Sequence, residues 1–146
     1  MKREIGDGFE LDDHLARVEL DVVCRYLSRE SYWARGRGRE VVERLIREAT
    51  RVVGLYKDGR QVGFARTVSD GVTFGYLADV FVLEEFRGRG LGLALVREAT
   101  VDSPLKPRRW LLHTADAHDL YAKLGFGPPD DRFMQTADTD PNPGPG

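Results

Sequence analysis

Cysteine is nearly absent from the 146-residue chain. Cys24 stands alone, which excludes an internal disulfide and any metal site built from paired thiolates. It lies in a helix-like apolar stretch without a nearby histidine, so it reads as core rather than nucleophile. Also lacking is any apolar run of signal-peptide or membrane length: Met1 to Gly8 passes from basic residues into acids and glycines. The chain is therefore expected to be cytoplasmic and to have no membrane partner. A surplus of one charge sign is missing too. The formal charge of -2 gives no general pull toward nucleic acid, and the Arg-Gly alternation at Arg35 to Arg39 reads as a solvated loop, not an RNA-binding element.

What is present is globular: 41% hydrophobic and 32% charged residues, enough for one ordinary core. One domain is expected over residues 1–136, followed by a disordered tail, 137–146, dominated by Asp, Pro and Gly. A strand at Gly8 to Asp12 leads to a helix over Glu19 to Ser28, with Val22, Val23, Tyr26 and Leu27 at helical spacing. A second helix spans Glu40 to Ala49. The period then changes to two. Val52–Tyr56 and Gln61–Val68 read as strands around an Asp58-Gly59 hairpin, and Asp70-Gly71 repeats the device before a third strand within Val72–Leu83. Helical spacing returns from Gly90, with Leu91, Ala94, Leu95 and Ala99 on one stripe, and Pro104 and Pro107 end the helix. A short strand at Arg109–His113, a helix capped by Asp116 and closed by Gly125, and a last strand within Phe126–Gln135 complete the pattern.

The glycine-rich turn Arg87-Gly88-Arg89-Gly90-Leu91-Gly92 follows a strand and opens a helix, a placement that suits an anion. Spacing excludes two common phosphate motifs. A dinucleotide fingerprint would need a small residue where Leu93 or Leu95 stands, and a triphosphate loop would need Lys-Ser or Lys-Thr after the glycines. What remains is Arg-x-x-Gly-x-Gly, at Arg87, Gly90 and Gly92.

The run Asp79 to Gly92 resembles the signature of GNAT-superfamily N-acetyltransferases, and Tyr121-Ala122-Lys123-Leu124-Gly125-Phe126 resembles that family's other recurrent segment. The resemblance covers nearly the whole order of elements. It implies an α+β fold, a three-layer α/β/α sandwich around a mixed, mostly antiparallel sheet. It also implies acetyl-CoA as co-substrate, no metal, and transfer of the acetyl group to a primary amine, of a small molecule or a protein, by direct attack in a ternary complex.

Residue by residue, the resemblance places the coenzyme diphosphate on the turn from Arg87 through Gly88, Arg89, Gly90 and Leu91 to Gly92. Phe81 and Val82 would offer main-chain groups to the pantetheine arm. Tyr121 would be the general acid and Asp79 the general base. Glu84 and Glu85 read as a solvated corner. Tyr32 and Trp33 would wall an aromatic or apolar acceptor, an arginine among Arg35, Arg37 and Arg39 would meet an anionic group, and His113 would face the acceptor entrance. Thr114 stands where the family often has an asparagine, which removes one expected coenzyme contact. A catalytically silent acetyl-CoA-binding module is the alternative, and monomer and homodimer are both compatible.

Overall fold

The computed structural model describes residues 1–140. Six strands form one sheet in the order β1 to β6: Lys2–Gly6, Phe9–Asp12, Arg51–Lys57, Arg60–Ser69, Gly75–Val82 and Trp110–Leu111. The first five pair antiparallel and β5 pairs parallel with β6. Four helices flank the sheet: α1 (Leu20–Arg25), α2 (Arg39–Glu48), α3 (Leu91–Ala99) and α4 (His118–Ala122). A core of Val23, Leu27, Val42, Ile46, Phe64 and Phe81 fills one face beneath α1 and α2. Leu11, Leu55, Leu77, Leu95, Val96 and Tyr121 fill the other. This is the expected three-layer α+β sandwich.

Several local expectations change. β1 went unread because only Ile5 among its residues is half-buried; an edge strand with both faces mostly wet carries no hydrophobic alternation. Asp58 and Gly59 take the positive φ values, 48° and 85°, that a tight hairpin needs. Asp70 does not: its carboxylate instead accepts the backbone N–H groups of Val72 and Thr73 and organises a longer loop. Past Arg25, α1 continues into a π-helical turn, Tyr26–Glu30, that buries both Tyr26 and Leu27.

α3 ends at Ala99, well before Pro104; the Thr100 hydroxyl turns back onto the Val96 carbonyl. Asp116 does not cap α4. The Thr114 hydroxyl accepts the Ala117 N–H at 3.1 Å instead, while Gly125 does take a left-handed φ of 90°. The strand expected within Phe126–Gln135 does not form; Pro128 and Pro129 remove two ladder donors. Residues 137–140 are exposed and irregular, and the rest of the expected tail lies outside the described residues.

Two features of β5 position the site. Its parallel pairing with β6 is confined to Gly75 with Trp110 and Tyr76 with Leu111, after which β6 ends and β5 runs on to Val82 without a strand partner on that edge, as one arm of a fork. Gly75 permits that contact, since a Cβ there would lie 2.4 Å from the Trp110 ring. Farther along, the β4–β5 register slips between Phe64 and Arg66, and Asp79 takes a φ of 53°. One extra residue on β5 makes a bulge that aims Asp79 toward the loop between α1 and α2, where Trp33 and Arg37 meet it.

Candidate active site

The turn after β5 is built to expose backbone donors. Gly88 and Gly90 have φ values of 80° and 76°, and nothing lies within 4 Å of where their Cβ atoms would be. α3 starts at Leu91, so the N–H groups of Leu91, Gly92 and Leu93 have no acceptor in the preceding turn of helix. Donors, open space and the positive end of the helix dipole coincide here, which suits a diphosphate. Arg87 is turned away from that space: its Nε donates to the Val82 carbonyl at 2.9 Å and its Nη2 to the Tyr26 hydroxyl at 2.8 Å. The Arg89 guanidinium lies 5.8 Å over the Phe86 ring, and Phe86 packs edge-on against Phe9 of β2 at 5.9 Å. Side chains fasten the turn while its backbone faces outward. A groove of about 490 Å³ lies between α1 and the Leu83–Glu85 segment that leads into this turn, lined by Val22, Arg25, Glu30, Leu83, Glu84 and Glu85. Tyr121, Tyr32, Trp33 and His113 are not among its lining residues.

Phe81 and Val82 are both buried at the end of β5. Phe81 stacks on Tyr26 with ring centroids 4.1 Å apart, a contact that adds about 1 kcal/mol beyond its buried area. Val82's carbonyl is already engaged by Arg87. Across the fork, α4 buries Tyr121 edge-on against Phe126 at 5.8 Å. Its hydroxyl has no hydrogen-bond partner among the described residues. Burial, reinforced by nearby Tyr32 and Asp116, pushes the Tyr121 phenol up to about 12. It therefore keeps its proton across the neutral range, as a proton donor must.

Asp79 sits at the centre of a cage. Its Oδ1 accepts from Trp33 Nε1 at 2.8 Å and Arg37 Nη1 at 3.1 Å; its Oδ2 accepts from Arg66 Nε at 2.8 Å and the same Arg37 nitrogen at 3.1 Å. Burial would raise its pKa, but the charges of Arg66 and Arg37 and the bonds from Trp33 and Arg66 together hold it below the usual carboxylate value. Both oxygens are occupied. The expected loop residues thus converge on the bulge: Trp33 and Arg37 are tied to Asp79, and Tyr32 reaches over to accept the Ala115 N–H at 2.8 Å. Arg35 donates to the Ser31 carbonyl and Arg39 to Asp21 at the surface. His113 is engaged on both nitrogens, by the Tyr76 hydroxyl and Gln135 Oε1, each at 2.7 Å.

Sequence reasoning gives Arg66 and Tyr76 no part in the site, and gives Tyr26 and Asp116 only a helix face and a cap. Arg66 left one signal: a lone charge at a strand position whose neighbours two residues away, Phe64 and Val68, are apolar.

Residues 48–128 match the family model for the acetyltransferase (GNAT) domain, and the chain belongs to that family. A GNAT-family protein of Xanthomonas campestris pv. campestris has the same fold with a TM-score of 0.81 and 38% identity, over 89% of this chain and 93% of that one. A protein of Gibberella zeae is 43% identical over 70 residues, which are 46% of this chain but 39% of the fungal one. Both carry the name "putative acetyltransferase". Glucosamine-6-phosphate N-acetyltransferase from Arabidopsis thaliana shares the fold alone, with 14% identity and a TM-score of 0.61 over 89% of this chain and 99% of that one. Among the described residues no helix is long and apolar enough to cross a membrane.

Proposed function

We propose that the chain transfers the acetyl group of acetyl-CoA to a primary amine. The observation that carries this reading is the coexistence of a donor turn at Gly88 to Gly92 with a buried, protonated Tyr121 that packs in the same core as Leu91 of that turn. Acetyl-CoA supplies the reactive thioester. The turn's N–H groups would hold its diphosphate, and the main chain at Phe81 and Val82 would line the arm. As the amine nitrogen bonds to the acyl carbon and the carbon–sulfur bond breaks, Tyr121 would protonate the departing thiolate.

Asp79 is better suited to anchoring than to taking a proton. A carboxylate already accepting from two guanidiniums and an indole, and held below its usual pKa, is a weak base. His113 is likewise engaged on both nitrogens. We assign the amine proton to solvent water and give Asp79 the task of fixing the Tyr32–Trp33 wall of the acceptor side.

Thiol release from acetyl-CoA, followed across a panel of amines, tests the transfer. Tyr121→Phe should lower kcat about a hundredfold, the lower end for loss of a general acid, while the acetyl-CoA dissociation constant stays put. A variant that binds and turns over as before would remove Tyr121 from the chemistry. Acetyl-CoA binding with no amine consumed would favour the silent module.

A further inference from the structure

We propose that the acceptor amine also carries a carboxylate, as free amino acids do, and that Arg66 with Arg37 beside it receives that carboxylate. The proposal rests on the acetyltransferase reading above and concerns its acceptor side.

The charges do not balance in the Asp79 cage. Arg37 alone reaches both Asp79 oxygens, at 3.1 Å each, so the single negative charge is already paired once. Arg66 then adds a second cation with only 13% of its side chain exposed. Its Nε is spent on Asp79, yet its two terminal nitrogens make no hydrogen bond among the described residues. Nor are they sealed in: among the described residues the only sealed side-chain polar atoms without a hydrogen bond are Tyr56 Oη and Glu98 Oε1, the latter ion-paired with Arg3. A guanidinium with most of its water stripped away and its outer N–H groups unused is costly unless an anion completes it.

Position and shape agree with that reading. Arg66 pairs with Ala78 beside the bulge, and its charge acts on Tyr76, whose hydroxyl meets His113 just past the end of β6. Asp79 fixes the guanidinium plane through Nε, which leaves the paired terminal nitrogens free to bind a carboxylate two-pronged. The surplus is one positive charge, enough to offset a carboxylate and short of what a phosphate dianion brings. Trp33 and Tyr32, stacked edge-on at 5.0 Å, offer apolar surface to the remainder of such an acceptor.

Free amino acids and their amides, each offered to the acetyl-CoA complex in turnover and in competition, provide the test. Wild type should favour the acids through an acceptor KM about tenfold lower, the scale of a charge-assisted hydrogen bond. Arg66→Gln should erase that preference, Arg66→Lys should restore part of it, and acetyl-CoA affinity should be unchanged in both. Should Arg66→Gln fail to fold, Arg37→Gln, at a more exposed position, should weaken the same preference. Equal use of acids and amides by wild type, or a preference that survives in Arg66→Gln, would overturn the proposal and leave acetyl transfer standing. Absence of any thermal shift with acetyl-CoA would overturn both.

Discussion

The proposed coenzyme side and the proposed acceptor side of the site are built by opposite means. The first is one continuous stretch, Arg87 to Gly92, in which backbone N–H groups would do the proposed binding and the Arg87 side chain is spent on bracing the turn. The second is assembled from distant parts of the chain: Trp33 and Arg37 from a loop, Arg66 from β4, and Asp79 from β5. Backbone recognition tolerates changes of side chain but not of φ. Side-chain recognition does the reverse, and the two regions should therefore fail differently under mutation.

The largest expected effect lies on the coenzyme side. Gly90→Val forces a β-branched residue into a φ of 76°, which costs an ordinary residue about 1–2 kcal/mol and a branched one more. It also puts a side chain into the open space over the turn. Acetyl-CoA affinity should fall about a hundredfold, the equivalent of about 2.7 kcal/mol, with the acceptor KM little moved. Calorimetric titration with acetyl-CoA checks it. If Gly90→Val binds normally, the donor turn is not the diphosphate site.

Asp79→Asn should act mainly on the other side. Removing one partner from a buried ionic cage costs about 3–5 kcal/mol, and the loosened loop should raise the acceptor KM about tenfold, roughly one lost charged hydrogen bond. The pH profile separates anchor from base. Because the Asp79 pKa is lowered, the group is already ionised at neutral pH, so the basic limb of turnover should stay where it is. Stability behaves with the same sign: the carboxylate's contribution is present above its unfolded pKa and disappears as pH falls through the lower folded one. A basic limb that moves in Asp79→Asn would return Asp79 to the role of base.

The same contrast explains what could be read from sequence. Gly88, Gly90 and the helix beginning at Leu91 are adjacent, so one local motif displays their chemistry, and the alternating and helical periods gave β3 to β5, α2 and α3 within a few residues. The cage was invisible because its members are up to 46 residues apart and meet only through a bulge that no local pattern announces. Asp79 was noticed as a carboxylate, but its three partners change what that carboxylate can do. The missing last strand has a different cause. Phe126 to Gln135 has strand-like residues, yet its paired prolines and two side-chain ties, Arg109 to Asp130 and His113 to Gln135, hold it without a ladder.

Arg87 gives the smallest effect and tests the boundary between the two regions. Although it opens the glycine motif, its guanidinium points back to the Val82 carbonyl and to Tyr26, which stacks on Phe81. Arg87→Ala removes two hydrogen bonds at a partly solvated position, each contributing about 1 kcal/mol, and leaves every backbone donor of the turn in place. The melting temperature should drop by several degrees, about 2–8 °C for a domain of this size. Acetyl-CoA affinity should fall less than about tenfold, because charge near the diphosphate is shared with Arg89 and the helix dipole. Arg87→Lys should not rescue the stability, since a single ammonium cannot reproduce the planar two-point brace. If Arg87→Ala instead matches Gly90→Val in lost affinity with an unchanged melting temperature, the arginine is a direct phosphate ligand and the backbone accounts for less of the binding than its geometry suggests.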